Sequence, residues 1–113
     1  GIGILATHDD NFYPSLKGPI PDAGSILHLI YKTTNVKPDK IFGKPSKEIK
    51  DIYKFKSKVL VIGDRISKDI QFAKNCKYDS ILVLSGAEES FKKDDELRKL
   101  VPNYIITSLN DLV

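Results

Sequence analysis

The chain has 113 residues, 41% of them hydrophobic, and a net charge of +3 from 18 basic and 15 acidic side chains. That is one domain, or one domain with part of another; no apolar run nears the roughly 20 residues of a membrane span, and a positive charge this mild and scattered argues against nucleic acid. The single cysteine, Cys76, excludes a disulfide framework and a thiolate metal cluster. In chain order, residues 2–6 (IGILA) read as a short buried strand. The following "THDDNFYPSLKGPIPDAG" is punctuated by Pro14, Gly18, Pro19, Pro21 and Gly24 and reads as a loop. From Asp22 the pattern is helical, with Ala23, Ile26, Leu27 and Ile30 on one face and Asn35 as its stop. "KIFG" after Pro38 is a brief strand, and "PSKEIKDIYKF" a helix with Ser46 as its capping residue and Ile49, Ile52 and Tyr53 as its apolar stripe. Residues 58–63 form a strand apolar enough to be buried on both faces, and Ser67 to Cys76 a helix with Ile70, Ala73 and Cys76 inward. "SILVLSG" (80–86) is a second buried strand, residues 89–100 a highly charged helix, "YIIT" (104–107) a last strand, and Ser108 the cap of a final short helix.

Apolar strands alternating with amphipathic helices define an α/β protein with a Rossmann-like parallel sheet covered on both faces. Right-handed crossovers put every strand-to-helix loop on one edge of that sheet, where ligands of such folds bind. Gly63–Asp69 lies on this edge, and so does Gly86 after the next strand.

The stretch "VLVIGDRISKDI" carries the chemistry. Asp64 leaves the strand directly and Asp69, five residues on, lies in the first turn of the helix, so both carboxylates can face one point. Gly63 lets the backbone approach closely at the turn. Two hard oxygen ligands held this way suit Mg²⁺, which keeps several waters and takes one or two carboxylates. Taken alone, the pair is equally well explained by a turn residue and a helix-dipole residue. Lys44 in "GKPSKE" precedes a helix start, where N–H groups attract anions, and could neutralise a phosphate. It is one of 16 lysines, most of which solvate a surface. The order changes that reading: GKP, then GDRxxxD about twenty residues later.

"GKPSKEI", "VLVIGDRISKDI" and "SILVLSG", in this order and spacing, resemble the haloacid dehalogenase superfamily of phosphatases. "ATHDDNFYPSLKGPIPDAGSI" resembles the ATNxD…P…G…PGxGS signature of its capped branch, which includes 4-nitrophenylphosphatase, phosphoglycolate phosphatase and pyridoxal phosphate phosphatase. The resemblance runs from Ala6 to the final helix. It implies Mg²⁺-dependent hydrolysis of a small phosphate monoester through an aspartyl-phosphate. Lys44 would be the catalytic and substrate-binding lysine that stabilises the phosphoryl group. Asp64 would ligate Mg²⁺, and Asp69 would hold the metal or its waters from beside it. Residues 1–43 would be the end of an α/β cap domain, with Tyr13 on a cap loop over the substrate, and 44–113 the later part of an incomplete core domain.

Three departures stand out. His8 replaces the signature's Asn and is read as a hydrogen-bonding loop residue. Lys68 replaces the usual Thr, and its charge would pair with Asp69 or meet a substrate anion. The nucleophile motif DxDG and the Thr/Ser-Asn motif are absent; both belong upstream of residue 1. The chain contains no Met and starts abruptly, which fits initiator removal or a piece cut from a longer protein. By itself it is expected to be inactive, with Val59–Ile62 as an exposed edge that pairs with the missing N-terminal part or with a second copy. A pseudo-phosphatase or interaction module is the alternative. A receiver-like or flavodoxin-like domain fits poorly, because "GILATHDD" supplies acids only after Thr-His. No secretory leader is read, and a reducing, cytoplasmic home is expected.

Overall fold

Helix α1 (Ala23–Thr34) begins and ends where its capping residues stand. The Asp22 carboxylate accepts from the Ala23 N–H at 2.7 Å, and Asn35 closes the helix in the left-handed conformation that ends many helices. The Ala23 N–H, and then His8 beside it, hold the Asp22 carboxyl below the usual range. The computed structural model describes residues 1–86 and 99–113, which divide into two units, Gly1–Gly43 and Lys44–Val113.

In the first unit, β1 (Leu5–Ala6) pairs in parallel with β4 (Lys40–Ile41). The stretch expected to be loop contains a small antiparallel hairpin, β2 (Phe12–Tyr13) against β3 (Ile20–Pro21). Its strands are two residues each, too short for any alternating pattern, and Pro21 fits because an edge strand can spare a donor. The backbone carbonyl of Asp10 accepts from Gly24 and that of Asn11 from Asp22, so the loop docks on the start of α1. Gly24 is required there: a Cβ would run into the backbone of Asp9 and Asp10. The apolar stripe read along α1 is only partly covered, since Leu27 and Ile30 are half-buried and Ile26 is exposed. His8 donates or accepts in two side-chain contacts, Nε2 to Asp22 Oδ1 and Nδ1 with Thr7 Oγ1, both at 3.0 Å. It is a hydrogen-bonding residue of the loop, as read.

In the second unit, β5 (Leu60–Gly63), β6 (Asp79–Val83) and β7 (Tyr104–Ile106) form a parallel sheet in that order. Register places Gly63 opposite Leu82 and Leu82 opposite Ile105. Ser80 to Val83 are all buried, as a central parallel strand requires. β5 is not buried on both faces: Leu60 is 47% and Ile62 44% exposed, because among the described residues only β6 pairs with it. Helix α2 (Glu48–Ile52) is shorter than its stripe suggested, since Tyr53 is already extended. Its N-cap is Lys47 and not Ser46, whose Oγ accepts from the Glu48 N–H at 3.3 Å from one residue further back. Ser108 caps the last turn (Leu109–Leu112) in a reciprocal box with Asp111. The charged helix expected over 89–100 lies, up to residue 98, outside the described residues. Among the described residues no helix is long and apolar enough to cross a membrane.

The chain from β5 to α3 (Gln71–Cys76) does not enter the helix smoothly. It first makes a π-helical turn, Ile66–Ile70, in which the Arg65 carbonyl accepts from Lys68, Asp69 and Ile70. Ile66 and Ile70 from this turn join Leu82 and Leu100 in the core. Ala73 and Cys76 also point inward, and burial pushes the Cys76 thiol up. Cys76 is only 1% exposed, so a maleimide or disulfide reagent at neutral pH is expected to leave the native protein unlabelled and to modify one thiol after denaturation. Native-state labelling at the denatured rate would mean that α3 opens freely.

Candidate active site

The π-helical turn sets the geometry of the site. By inserting an extra residue into the first turn it brings the Asp69 carboxylate back over the end of β5. There Oδ2 accepts from the Arg65 N–H at 3.0 Å and Oδ1 is ion-paired with Lys44 Nζ. Asp69 is 3% exposed, so its charge is tolerated only because both oxygens are engaged. Gly63 makes room for it, since a Cβ at that position would collide with the Asp69 carboxyl group.

Lys44 sits at the start of the second unit with about half of its side chain exposed. An ammonium carries three donors, so holding Asp69 does not exhaust it. Asn75 on α3 donates to the Pro45 carbonyl at 2.7 Å and ties the lysine's loop to the helix. Lys50 donates to the Cys76 carbonyl at 3.1 Å and adds a second tie. Asp64, half-buried, follows Gly63 at the same strand end and lies directly against Gly86, beyond β6. Lys44, Asp64 and Asp69 therefore gather at the carboxyl edge of the parallel sheet. Tyr13 belongs to the first unit, exposed on β2.

Asn75 and the closeness of Gly86 to Asp64 were not legible in the sequence. A side chain bonding to a backbone carbonyl thirty residues away leaves no periodic trace, and a glycine after a strand looks like any turn glycine.

Among the described residues no three His, Cys, Asp or Glu side chains gather as a metal cluster. What the strand end offers is two carboxylates, one half-buried and one held rigidly by its partners. That donor set fits Mg²⁺, which takes one or two carboxylates and completes its shell with water and substrate oxygens. It would not fit Zn²⁺, which favours His and Cys ligands.

A parallel α/β sheet whose carboxyl edge carries a lysine paired to a buried aspartate, with a second aspartate beside it, is the arrangement that the haloacid dehalogenase resemblance implies. Residues 41–112 match the profile of the HAD-hydrolase-like family, and the chain belongs to it. It is 36% identical over 118 residues to a 4-nitrophenylphosphatase of Schizosaccharomyces pombe, covering 96% of this chain and 38% of that protein. Among solved structures, the p-nitrophenyl phosphatase of Archaeoglobus fulgidus superposes with a TM-score of 0.83 at 36% identity, over 98% of this chain and 45% of that one. A glycerol phosphate phosphatase of Mycobacterium tuberculosis, solved in complex with magnesium, gives 0.79 at 28% identity, over 99% of this chain and 35% of that one. The same phosphatase is also known in complex with calcium. The chain thus spans less than half the length of these relatives.

Proposed function

We propose that the protein carrying this chain hydrolyses small phosphate monoesters with Mg²⁺, through an aspartyl-phosphate whose nucleophile lies upstream of residue 1. The observation that carries this reading is the Lys44–Asp69 ion pair fixed at the strand end that also delivers Asp64. Residues 1–43 would be the end of a cap and 44–113 the later part of the core. The division of the chain after Gly43 and the share of each relative it covers support that assignment.

Each residue would then have a task. Lys44 would meet the phosphoryl oxygens with its remaining donors, its position fixed by Asp69 and by Asn75 through Pro45. Asp64, with Asp69 beside it, would hold Mg²⁺ and its waters. When bound, the metal offsets charge on the transferring phosphoryl group. Asp69 would act mainly by keeping the ammonium aimed, since both of its oxygens are engaged. Tyr13, exposed on its hairpin, would be a substrate-binding residue of the cap loop. Residues 1–113 alone would lack the attacking carboxylate and be inactive. A cytoplasmic location belongs to this reading, with the buried free thiol of Cys76 in keeping.

The test is hydrolysis of 4-nitrophenyl phosphate by the full protein, with Mg²⁺ and with EDTA. Turnover that needs Mg²⁺ is expected; full activity in EDTA would sink the proposal. A panel of phosphate esters tests the cap residue. Tyr13→Ala should reorder preference among them while sparing the small generic ester, and an equal loss for all would point to folding instead.

A further inference from the structure

We infer that Gly86 is a positioning residue for Asp64, its missing side chain forming the seat that aims this carboxylate at the metal. The inference rests on the function proposed above and deepens it.

Gly86 follows β6, the neighbour of β5 in the sheet, so the loops leaving the two strands run side by side. A Cβ on Gly86 would collide with the Cβ, Cγ and Oδ2 atoms of Asp64. The first of these decides the matter. Asp64 Cβ is set by the backbone, so rotating the side chain about χ1 cannot clear it. The loop after β6 or the end of β5 has to move.

Backbone conformation does not explain the glycine. Gly18 is the glycine with positive φ, and Gly86 lies outside the left-handed region, so alanine would carry no strain of its own there. What forbids a side chain is Asp64. The arrangement is repeated one step away, where Gly63 leaves the space occupied by the Asp69 carboxyl. Each aspartate of the site thus rests against a glycine at the end of one of two adjacent strands. Groups that orient a metal's ligands without touching the metal typically change affinity roughly 10–100-fold when altered. The effect of Gly86→Ala belongs in that range, and on the metal more than on the ester.

The experiment measures binding of Mg²⁺ alone to the full protein by isothermal titration calorimetry, with thermal unfolding of the metal-free forms. Wild type, Gly86→Ala, Asp64→Asn, Asp64→Gly and the Gly86→Ala/Asp64→Gly double variant are compared. Gly86→Ala should bind Mg²⁺ roughly 10–100-fold more weakly and unfold at lower temperature. In the Asp64→Gly background the same alanine should leave the unfolding temperature unchanged, because the atom it strikes is gone. If Gly86→Ala fails to fold, recovery of folding in the double variant supports the inference, and failure of both overturns it. Weak binding by Asp64→Asn with wild-type binding by Gly86→Ala overturns the inference and leaves the proposed function standing. Wild-type Mg²⁺ binding by Asp64→Asn overturns both.

Discussion

Asp64→Asn is expected to cut turnover of any phosphate ester roughly 100- to 1000-fold, the cost of weakening the proposed hold on a Mg²⁺ that offsets charge on the transferring phosphoryl. Asn keeps the shape that fits against Gly86 and removes the negative charge, so the fold should survive and the unfolding temperature should hardly move. Lys44→Ala should lose activity by a similar factor for a different reason. It removes the cation proposed to meet the phosphate and leaves Asp69 buried beside an empty space. Breaking a fully buried ion pair costs about 3–5 kcal/mol. Lys44 is half exposed, so water can replace part of the lost interaction, and a loss of about 1–2 kcal/mol is the better expectation. The pair of variants thus separates chemistry from stability. Steady-state kinetics with thermal unfolding in parallel checks both, and normal turnover in either variant would remove these residues from the mechanism.

The meeting of Asp64 and Asp69 was legible because it is local, whereas Lys44 joined them in the sequence only through the order of the motifs. Gly63, Asp64 and Asp69 lie within seven residues, and Lys44 stands before a proline that opens a helix start. The capping residues Asp22, Asn35 and Ser108 were legible for the same reason: a cap is a side chain bonding to its own neighbourhood. What the sequence hid is of other kinds. The π-helical turn at Ile66–Ile70 has no hydrophobic period of its own, yet it is what turns Asp69 back over Gly63. The hairpin of Phe12–Tyr13 and Ile20–Pro21 was masked by the prolines and glycine that make its turn. The partial exposure of β5 was read both ways. Its run of four apolar residues suggested a strand buried on both faces, while the resemblance left Val59–Ile62 as an exposed edge. The exposure of Leu60 and Ile62 agrees with the second.

That exposure leads to the second large effect. Residues 1–113 produced alone are expected to associate with themselves or aggregate, through β5. One side of this strand is hydrogen-bonded to β6, and the other has no strand against it among the described residues. Such an edge is a template for another chain, and this one carries no charge between Val59 and Gly63 to discourage pairing. Fully burying a Leu or Ile side chain is worth roughly 1.5–3 kcal/mol. Leu60 and Ile62, each nearly half exposed, therefore hold a substantial part of that in reserve. Ile62→Lys tests the point in two contexts with opposite signs. In the isolated chain the lysine reaches solvent and blocks pairing, so light scattering should show less association than wild type. In the full protein, where the proposed core would lay the nucleophile strand against β5, the same lysine would be buried without a partner and should prevent stable folding. Co-expressing wild-type residues 1–113 with a separate upstream segment carrying DxDG should restore phosphatase activity. A monodisperse wild-type monomer, or a full protein indifferent to Ile62→Lys, would mean that β5 is a true edge and that its partner strand lies elsewhere.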